Sequence, residues 1–267
     1  MRHVLLLILA MLFLVGCTTT STSFTTPYST STQSEAVAGD VDLGKAAKAR
    51  LTLGLSYLEN GEYQLAKSNL DKALAHTPND EEVLRGMAWY YQQVNEDKLA
   101  EEYYQRALKI NNKNPSLLNQ YGAFLCAQKK YAKSLEMFTA SAQIRTNEDI
   151  SGTYENAATC NYLAGNLEQA EQNYRRALNH NPEQVGSLLG MAEIEFGKNR
   201  YNRTKSYLAR FERVSRHTPR SLWLGAQNAA KMGDLDAVAS YGLKLEQIYP
   251  DSQETENYLD AKDSWLR

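Results

Sequence analysis

Few of the residues that ordinarily carry catalysis are spaced as an active site requires. The histidines are His3, His76, His180 and His217. Two of them, at 76 and 180, fall at the same position of a 34-residue repeat, in the last turn of a helix, where an imidazole interacts favourably with the helix dipole. The sequence contains no H-E-x-x-H, C-x-x-C or G-x-S-x-G motif and no glycine-rich phosphate loop. We therefore expect no enzyme activity, no cofactor-binding residues and no metal site.

Chemistry of another kind is indicated at Cys17. Arg2 precedes an apolar run over residues 4–14, which is too short to span a bilayer and has the form of an export signal. The run ends in the string Leu-Val-Gly-Cys, which resembles the lipobox of bacterial lipoproteins, L-[AV]-G-C. That resemblance implies that residues 1–16 are removed as a signal peptide and that Cys17 is lipidated with acyl chains such as palmitate. An ordinary signal peptide followed by a chance cysteine is the alternative.

Lipidation of Cys17 would decide where the chain resides. Two or more acyl chains anchor a protein stably to a membrane, whereas a single chain binds only marginally. The next residues are Thr18 and Thr19, with no aspartate after the cysteine. In lipoproteins of this kind such a sequence implies transport to the outer membrane, on its periplasmic face. Residues 18–34 are almost all serine and threonine, so we expect residues 17–40 to form a flexible tether spanning on the order of 25 Å.

A 34-residue repeat organises the rest of the chain. Its units are residues 47–80, 81–114, 115–150, 151–184, 185–218 and 219–252. Position 8 is small in every unit: Gly54, Ala88, Gly122, Ala158, Ala192 and Ala226. Small residues also recur at positions 20 and 27 of the first four units. Small residues at such regular spacing are typical of helix pairs that approach closely. This is the tetratricopeptide (TPR) pattern of a helix, a turn and a second helix. We predict an all-α fold, a right-handed α-solenoid of six TPR hairpins.

Signals for helix ends support this register. Asp42, Asp80, Asn114 and Ser221 are placed as N-caps of first helices. Glycine at residues 61, 165 and 233 falls at position 15, the turn within the hairpin, where a positive φ costs glycine little. Residues 253–267 read as a C-terminal capping helix that covers the last unit.

The same register predicts which faces are buried and which are free. In the first helix we expect Leu53, Gly54 and Tyr57 to pack on the second helix. Positions 2, 5, 9, 12 and 13 would then line a concave groove that binds a protein partner. The apolar residues that we predict for the groove from these positions are Leu51, Leu55, Leu58, Trp89, Tyr162, Leu163, Leu189 and Phe196. The alternative for the three leucines of the first unit is that they pack under the N-terminal segment.

Two cysteines remain in the repeats. Cys126 and Cys160 occupy positions 12 and 10 of neighbouring first helices, whose axes should lie about 10 Å apart. An exported protein can form a disulfide, so a bridge is possible. The sequence favours two small buried apolar thiols instead.

Charge excludes one class of partner. The chain has 29 Lys and Arg against 31 Asp and Glu and no basic block, which argues against nucleic-acid binding. Nothing indicates a small-molecule substrate, and we expect a monomer whose partner is another protein.

Longer strings point to one family. These are residues 119–126, Asn-Gln-Tyr-Gly-Ala-Phe-Leu-Cys, and 155–160, Glu-Asn-Ala-Ala-Thr-Cys, together with the lipobox and its Ser/Thr-rich tether. The chain resembles the type IV pilus biogenesis/stability lipoproteins, the PilF/PilW family, over essentially its whole length. Only Cys17 carries over as a functional residue, and Gln120 stands where the family string has asparagine.

The resemblance implies an outer-membrane pilotin. Such a protein binds subunits of the type IV pilus secretin and promotes their localisation and multimerisation, hence pilus (fimbrium) biogenesis and twitching motility. The alternative is a TPR outer-membrane lipoprotein of another envelope machine, serving barrel assembly or peptidoglycan synthesis.

Overall fold

The computed structural model describes residues 42–265. The predicted signal peptide, Cys17 and the tether to residue 40 lie outside the described residues, as do the last two residues of the predicted capping helix. Within residues 42–265 the chain forms thirteen α-helices, which are α1 (Leu43–Glu59), α2 (Tyr63–His76), α3 (Glu81–Gln93), α4 (Asp97–Ile110), α5 (Pro115–Ala127), α6 (Tyr131–Gln143), α7 (Ile150–Leu163), α8 (Leu167–His180), α9 (Val185–Gly197), α10 (Tyr201–Val214), α11 (Pro219–Met232), α12 (Leu235–Ile248) and α13 (Gln253–Trp265).

The helices pack as six consecutive hairpins. Each first helix contacts its own second helix, as α1 contacts α2, and each second helix contacts the first helix of the next unit. First helices also contact one another along the row, α1 with α3, α5 with α7, α7 with α9 and α9 with α11. The prediction of an all-α TPR solenoid is confirmed, and the row of first helices is the face on which a groove can form.

Close approach within the hairpins explains the small residues at position 8. A Cβ on Gly54 would lie 2.8 Å from Cγ of Leu70, and a Cβ on Gly122 would lie 2.8 Å from Cε1 of Phe138. Leu53, by contrast, is 41% exposed, so the prediction that it packs on α2 was wrong. At 100° per residue it points away from the side on which Gly54 meets α2, whereas Leu51 lies about 60° from Gly54 and is buried.

All six hairpin turns use the left-handed conformation. The glycines at 61, 165 and 233 have φ of 75°, 81° and 72°. Asn95, Lys129 and Asn199 occupy the equivalent turns with φ of 60°, 57° and 56°. A residue in this conformation lets the backbone N–H groups after the helix reach its last carbonyls, which is why every unit adopts it.

Three of the four predicted N-caps are confirmed. The side chains of Asp42, Asp80 and Asn114 accept hydrogen bonds from backbone N–H groups in the first turns of α1, α3 and α5. Ser221 is not an N-cap. Thr218 caps α11, and Ser221 is the third helical residue of a capping box, in which its Oγ accepts a hydrogen bond from the Thr218 N–H at 2.9 Å.

The two repeat cysteines are joined. Cys126 of α5 and Cys160 of α7 form a disulfide with their Cα atoms 5.7 Å apart, so the expectation of two separate thiols was wrong. The expected distance between helix axes was a poor guide, because both cysteines lie on the facing sides of α5 and α7. Their Cα atoms are therefore closer together than the helix axes. Their Cα–Cα distance lies within the range of about 4.4–6.8 Å that is usual for disulfides.

The C-terminal helix closes the solenoid. α13 packs against α11 and α12, and Tyr258 is buried in the core of the last unit. Trp265 stacks on Trp223 of α11, with ring centroids 5.4 Å apart. α13 therefore covers the apolar face that a seventh unit would otherwise cover.

The fifth unit departs most from the repeat and still forms its hairpin. Its position 11 is Glu195, whose side chain is completely buried. The guanidinium groups of Arg200, Arg175 and Arg203 lie 3.4, 3.5 and 3.8 Å from the carboxylate. A buried carboxylate is tolerated where cations compensate its charge, and three of them do so here.

Candidate functional site

A groove of about 480 Å³ lies on the first-helix face at the N-terminal end of the solenoid. α1 and α3 provide most of its lining, and α4 and α5 complete it. We call it the N-terminal groove. Its apolar lining is formed by Leu55, Trp89 and Ala123, which all occupy position 9 of their units. The helical register thus brings one residue from each of three successive first helices to the same surface.

Gly86 makes room at the base of the N-terminal groove. A Cβ at this residue would lie 2.7 Å from Cδ1 of Leu51 and 3.3 Å from Cδ2 of Leu55. The bare backbone therefore lets α1 and α3 approach and leaves Leu55 half-buried beside Trp89. Apolar side chains that remain partly accessible in a groove suit the docking of another polypeptide.

Three of the eight residues predicted for the groove are buried in the core instead. Leu51, Leu58 and Leu189 are only 6%, 4% and 9% exposed. Leu51 and Leu189 both occupy position 5, and each belongs to a core cluster that includes residues of the next unit. Their prediction as free groove residues was wrong, because in the first and fifth units position 5 packs against the next unit. Position 12, where Leu58 lies, is buried in the third unit as well, at the disulfide-bonded Cys126.

The remaining three predicted residues lie farther along the solenoid. Tyr162 and Phe196 are half-buried and pack against the core of the fourth and fifth units. Burial raises the pKa of the Tyr162 hydroxyl, and the nearby Glu193 carboxylate adds to that effect. Leu163 is 59% exposed. None of the three lines the N-terminal groove, so the structure brings together only Leu55 and Trp89 of the predicted set.

Polar residues that the sequence analysis did not select form the rim of the N-terminal groove. They are Glu59, Glu82, Arg85, Gln92 and Gln120, and the lining also includes Tyr104, which is only 1% exposed. Four of them occupy positions 2, 5, 12 and 13, the same stripe from which only apolar residues had been chosen. Counting every residue type in that stripe would have found these four.

The rim carries negative charge. Nε of Arg85 pairs with Glu81 at 3.3 Å, whereas Glu59 and Glu82 form no ion pair with any residue between 42 and 265. The Tyr104 hydroxyl donates a hydrogen bond to Oε1 of Gln92 at 3.2 Å, and burial raises the pKa of Tyr104. The N-terminal groove can therefore bind an apolar segment on its floor and polar groups at its edge.

Over residues 42–265, no three histidine, cysteine or carboxylate side chains converge as ligands of a metal ion. In that same stretch no helix combines the length and apolar character needed to cross a bilayer.

Sequence comparisons place the chain among TPR proteins. One family model described as "Tetratricopeptide repeat" matches residues 115–183, and a second with the same description matches residues 47–80 and 86–114. The type IV pilus assembly protein PilF of Pseudomonas aeruginosa is 32% identical over 218 residues, which cover 82% of this chain and 86% of that protein. An uncharacterized protein of Haemophilus influenzae is 39% identical over 127 residues, 48% of this chain and 71% of its own length.

Structural comparisons agree with the sequence comparisons. A solved structure of Pseudomonas aeruginosa PilF is similar with a TM-score of 0.75 and 31% identity, over 82% of this chain and 99% of the other. The crystal structure of PilW, a type IV pilus biogenesis factor, gives a TM-score of 0.73 at 23% identity, over 80% of this chain and 98% of PilW. At 23% identity, the similarity to PilW shows only that the fold is shared.

Proposed function

Because this chain belongs to the family of the type IV pilus assembly protein PilF, we propose that it is a lipid-anchored pilotin of a type IV pilus secretin. Its general role follows from the family and the fold: it is a non-enzymatic TPR scaffold for protein–protein interaction in type IV pilus assembly. The more specific proposal is that it binds secretin subunits and promotes their localisation and multimerisation in the outer membrane.

The observation that carries this proposal is the N-terminal groove. Leu55 and Trp89 expose apolar surface side by side, and tryptophan is among the residue types that most often dominate binding energy. Polar groups surround them, as in interfaces with an apolar centre and a hydrated rim. We infer that a segment of the secretin subunit places apolar side chains on Leu55 and Trp89.

Lipidation of Cys17 would strengthen this interaction without any further contact. A protein anchored through two or more acyl chains shares a surface with a membrane-bound partner, so their encounter takes place at a high effective concentration. The lipobox-like string before Cys17 supports the anchor. A Cys17→Ser variant should leave the membrane fraction and appear in the soluble periplasmic fraction. Unchanged fractionation of this variant would contradict anchoring at Cys17.

Three single substitutions test the N-terminal groove with a matched control. Leu55→Asp and Trp89→Asp each place a charge on the groove floor and should reduce secretin recovery in a pull-down from detergent-solubilised membranes at least tenfold, since each loses about 1.4 kcal/mol or more of binding. Leu53→Asp introduces the same charge on α1 at an exposed leucine outside the groove and should bind normally. Circular dichroism of all three confirms that helicity is retained.

The outcomes separate the candidate functions. Full secretin binding by well-folded Leu55→Asp and Trp89→Asp would eliminate the groove as the binding site. Recovery of barrel-assembly or peptidoglycan-synthesis proteins in place of the secretin would assign the chain to another envelope machine.

A further inference from the structure

A second cleft, of about 420 Å³, lies between α6 and α8 with α7 as its floor. It is built from second helices of the third and fourth units and shares no residue with the N-terminal groove. We call it the amide cleft. Neither the family resemblance nor the proposed function makes use of it.

The two walls of the amide cleft differ in chemistry. α6 contributes three apolar side chains, Leu135, Ala142 and the buried Phe138, beside the polar Thr139 and Gln143. α8 contributes three carboxamides and one guanidinium group, from Gln169, Gln172, Asn173 and Arg176. The spacing of these four residues, i, i+3, i+4 and i+7, aligns them along one face of α8.

The carboxamides have unused hydrogen-bonding capacity. The side chains of Gln169, Gln172 and Asn173 make no hydrogen bond with any other residue of the 42–265 stretch. On the floor, Asn161 is only 4% exposed, and its Nδ2 donates to the Ala157 carbonyl at 3.0 Å. The Oδ1 atom of Asn161 accepts no hydrogen bond from that stretch either. Each carboxamide can both donate and accept, as the N–H and C=O groups of a polypeptide backbone require of a partner.

One charged side chain lines the amide cleft. Arg176 lies over the ring of Tyr154, with Cζ 5.7 Å from the ring centroid, and forms no ion pair within the described part of the chain. The neighbouring Arg175 differs, because Glu171 lies 2.7 Å from its Nη2. The cleft therefore offers a positive charge, uncompensated by any carboxylate of residues 42–265, to an incoming acidic group.

We propose that the amide cleft binds a short extended polypeptide segment that carries an acidic side chain. The acidic group pairs with Arg176, the segment's backbone bonds to the carboxamides of α8, and an apolar side chain packs on α6. From Gln169 to Arg176 the wall is about 10 Å long, which matches roughly three residues of extended chain. Since this site is separate from the N-terminal groove, the scaffold holds two polypeptide segments at once.

Side-chain amide resonances provide a direct test. The full-length chain, labelled with ¹⁵N and held in detergent micelles, is titrated with the peptide acetyl-Leu-Ser-Leu-Glu-amide and with its Gln counterpart. The Glu peptide should shift the side-chain NH₂ signals of Gln169, Gln172 and Asn173 and should bind up to about fivefold more tightly than the Gln peptide, as one exposed ion pair allows.

Two arginine variants of equal charge isolate the role of Arg176. Arg176→Gln should bind both peptides equally and weakly. Arg213→Gln removes an exposed arginine of α10 that does not line the cleft and should keep the preference for the Glu peptide. Thermal melting shows whether both variants fold as the parent chain does.

Three results would overturn the proposal. The first is the absence of shifts at the three carboxamides at the highest soluble peptide concentration. The second is a preference for the Glu peptide that survives in Arg176→Gln. The third is a shift of the same signals by the sugar chitotriose but by neither peptide, which would assign the cleft to carbohydrate.

Discussion

Reduction of the disulfide between Cys126 and Cys160 should destabilise the chain strongly. The bridge closes a loop of 34 residues between α5 and α7. A crosslink across a loop of this length removes about 13 cal/mol/K of entropy from the unfolded chain, or about 3.8 kcal/mol at 25 °C. For a chain of roughly this size each kcal/mol corresponds to about 2–4 °C in Tm, so reduction should lower the Tm by roughly 8–15 °C.

The loss should also be local. In a solenoid each unit contacts only its neighbours, so a crosslink between the third and fourth units acts first on their shared interface. Amide hydrogen exchange should therefore accelerate more in α5, α6 and α7 than in α1 or α11 when the bridge is reduced.

The measurement is a pair of melting curves, with and without the reductant TCEP, followed by circular dichroism. A Cys126→Ala/Cys160→Ala variant is the control, because it should melt near the reduced parent chain and should not respond to TCEP. A reduced parent that melts within about 2 °C of the oxidised form would refute the reasoning, since the loop-closure entropy would then be worth less than about 1 kcal/mol.

Two further predictions concern folding stability. Tyr258→Ala should cost about 3–5 kcal/mol in unfolding free energy, because the buried ring packs over Gly242 of α12 and closes the last unit. A urea titration measures this loss. An unchanged urea midpoint would contradict the role of α13 as a cap. Asp80→Ala should cost about 1 kcal/mol, since two backbone N–H groups of α3 lose their acceptor. Asp80→Asn keeps an acceptor and should be nearly neutral, and equal losses in the two variants would argue against capping.

Features governed by local periodicity could be predicted from the sequence. Position 8 is small in every unit, and where it is glycine, at Gly54 and Gly122, the second helix leaves no room for a side chain. The caps Asp80 and Asn114 and the left-handed turn at Gly61 follow from interactions within a few residues. Two of the three apolar lining residues of the N-terminal groove, Leu55 and Trp89 at position 9, were found in the same way.

Features that depend on how successive units pack together could not be predicted from the sequence. The register shows which face of a first helix meets its own second helix, but not how far the next first helix covers the remaining face. Leu51 and Leu189 were predicted to be free for this reason, and packing against the next unit buries them. The disulfide depended on the same unknown distance, between α5 and α7.

The sequence by itself thus determined the hairpin, its repetition and the stripe of positions from which the N-terminal groove draws most of its lining, because a 34-residue period records contacts made within one unit. The tertiary structure alone decided which stripe residues stay accessible, whether Cys126 and Cys160 join, and that α6 and α8 enclose the amide cleft. These outcomes depend on the spacing and angle between neighbouring units, which many side chains set together and which no single period in the sequence encodes.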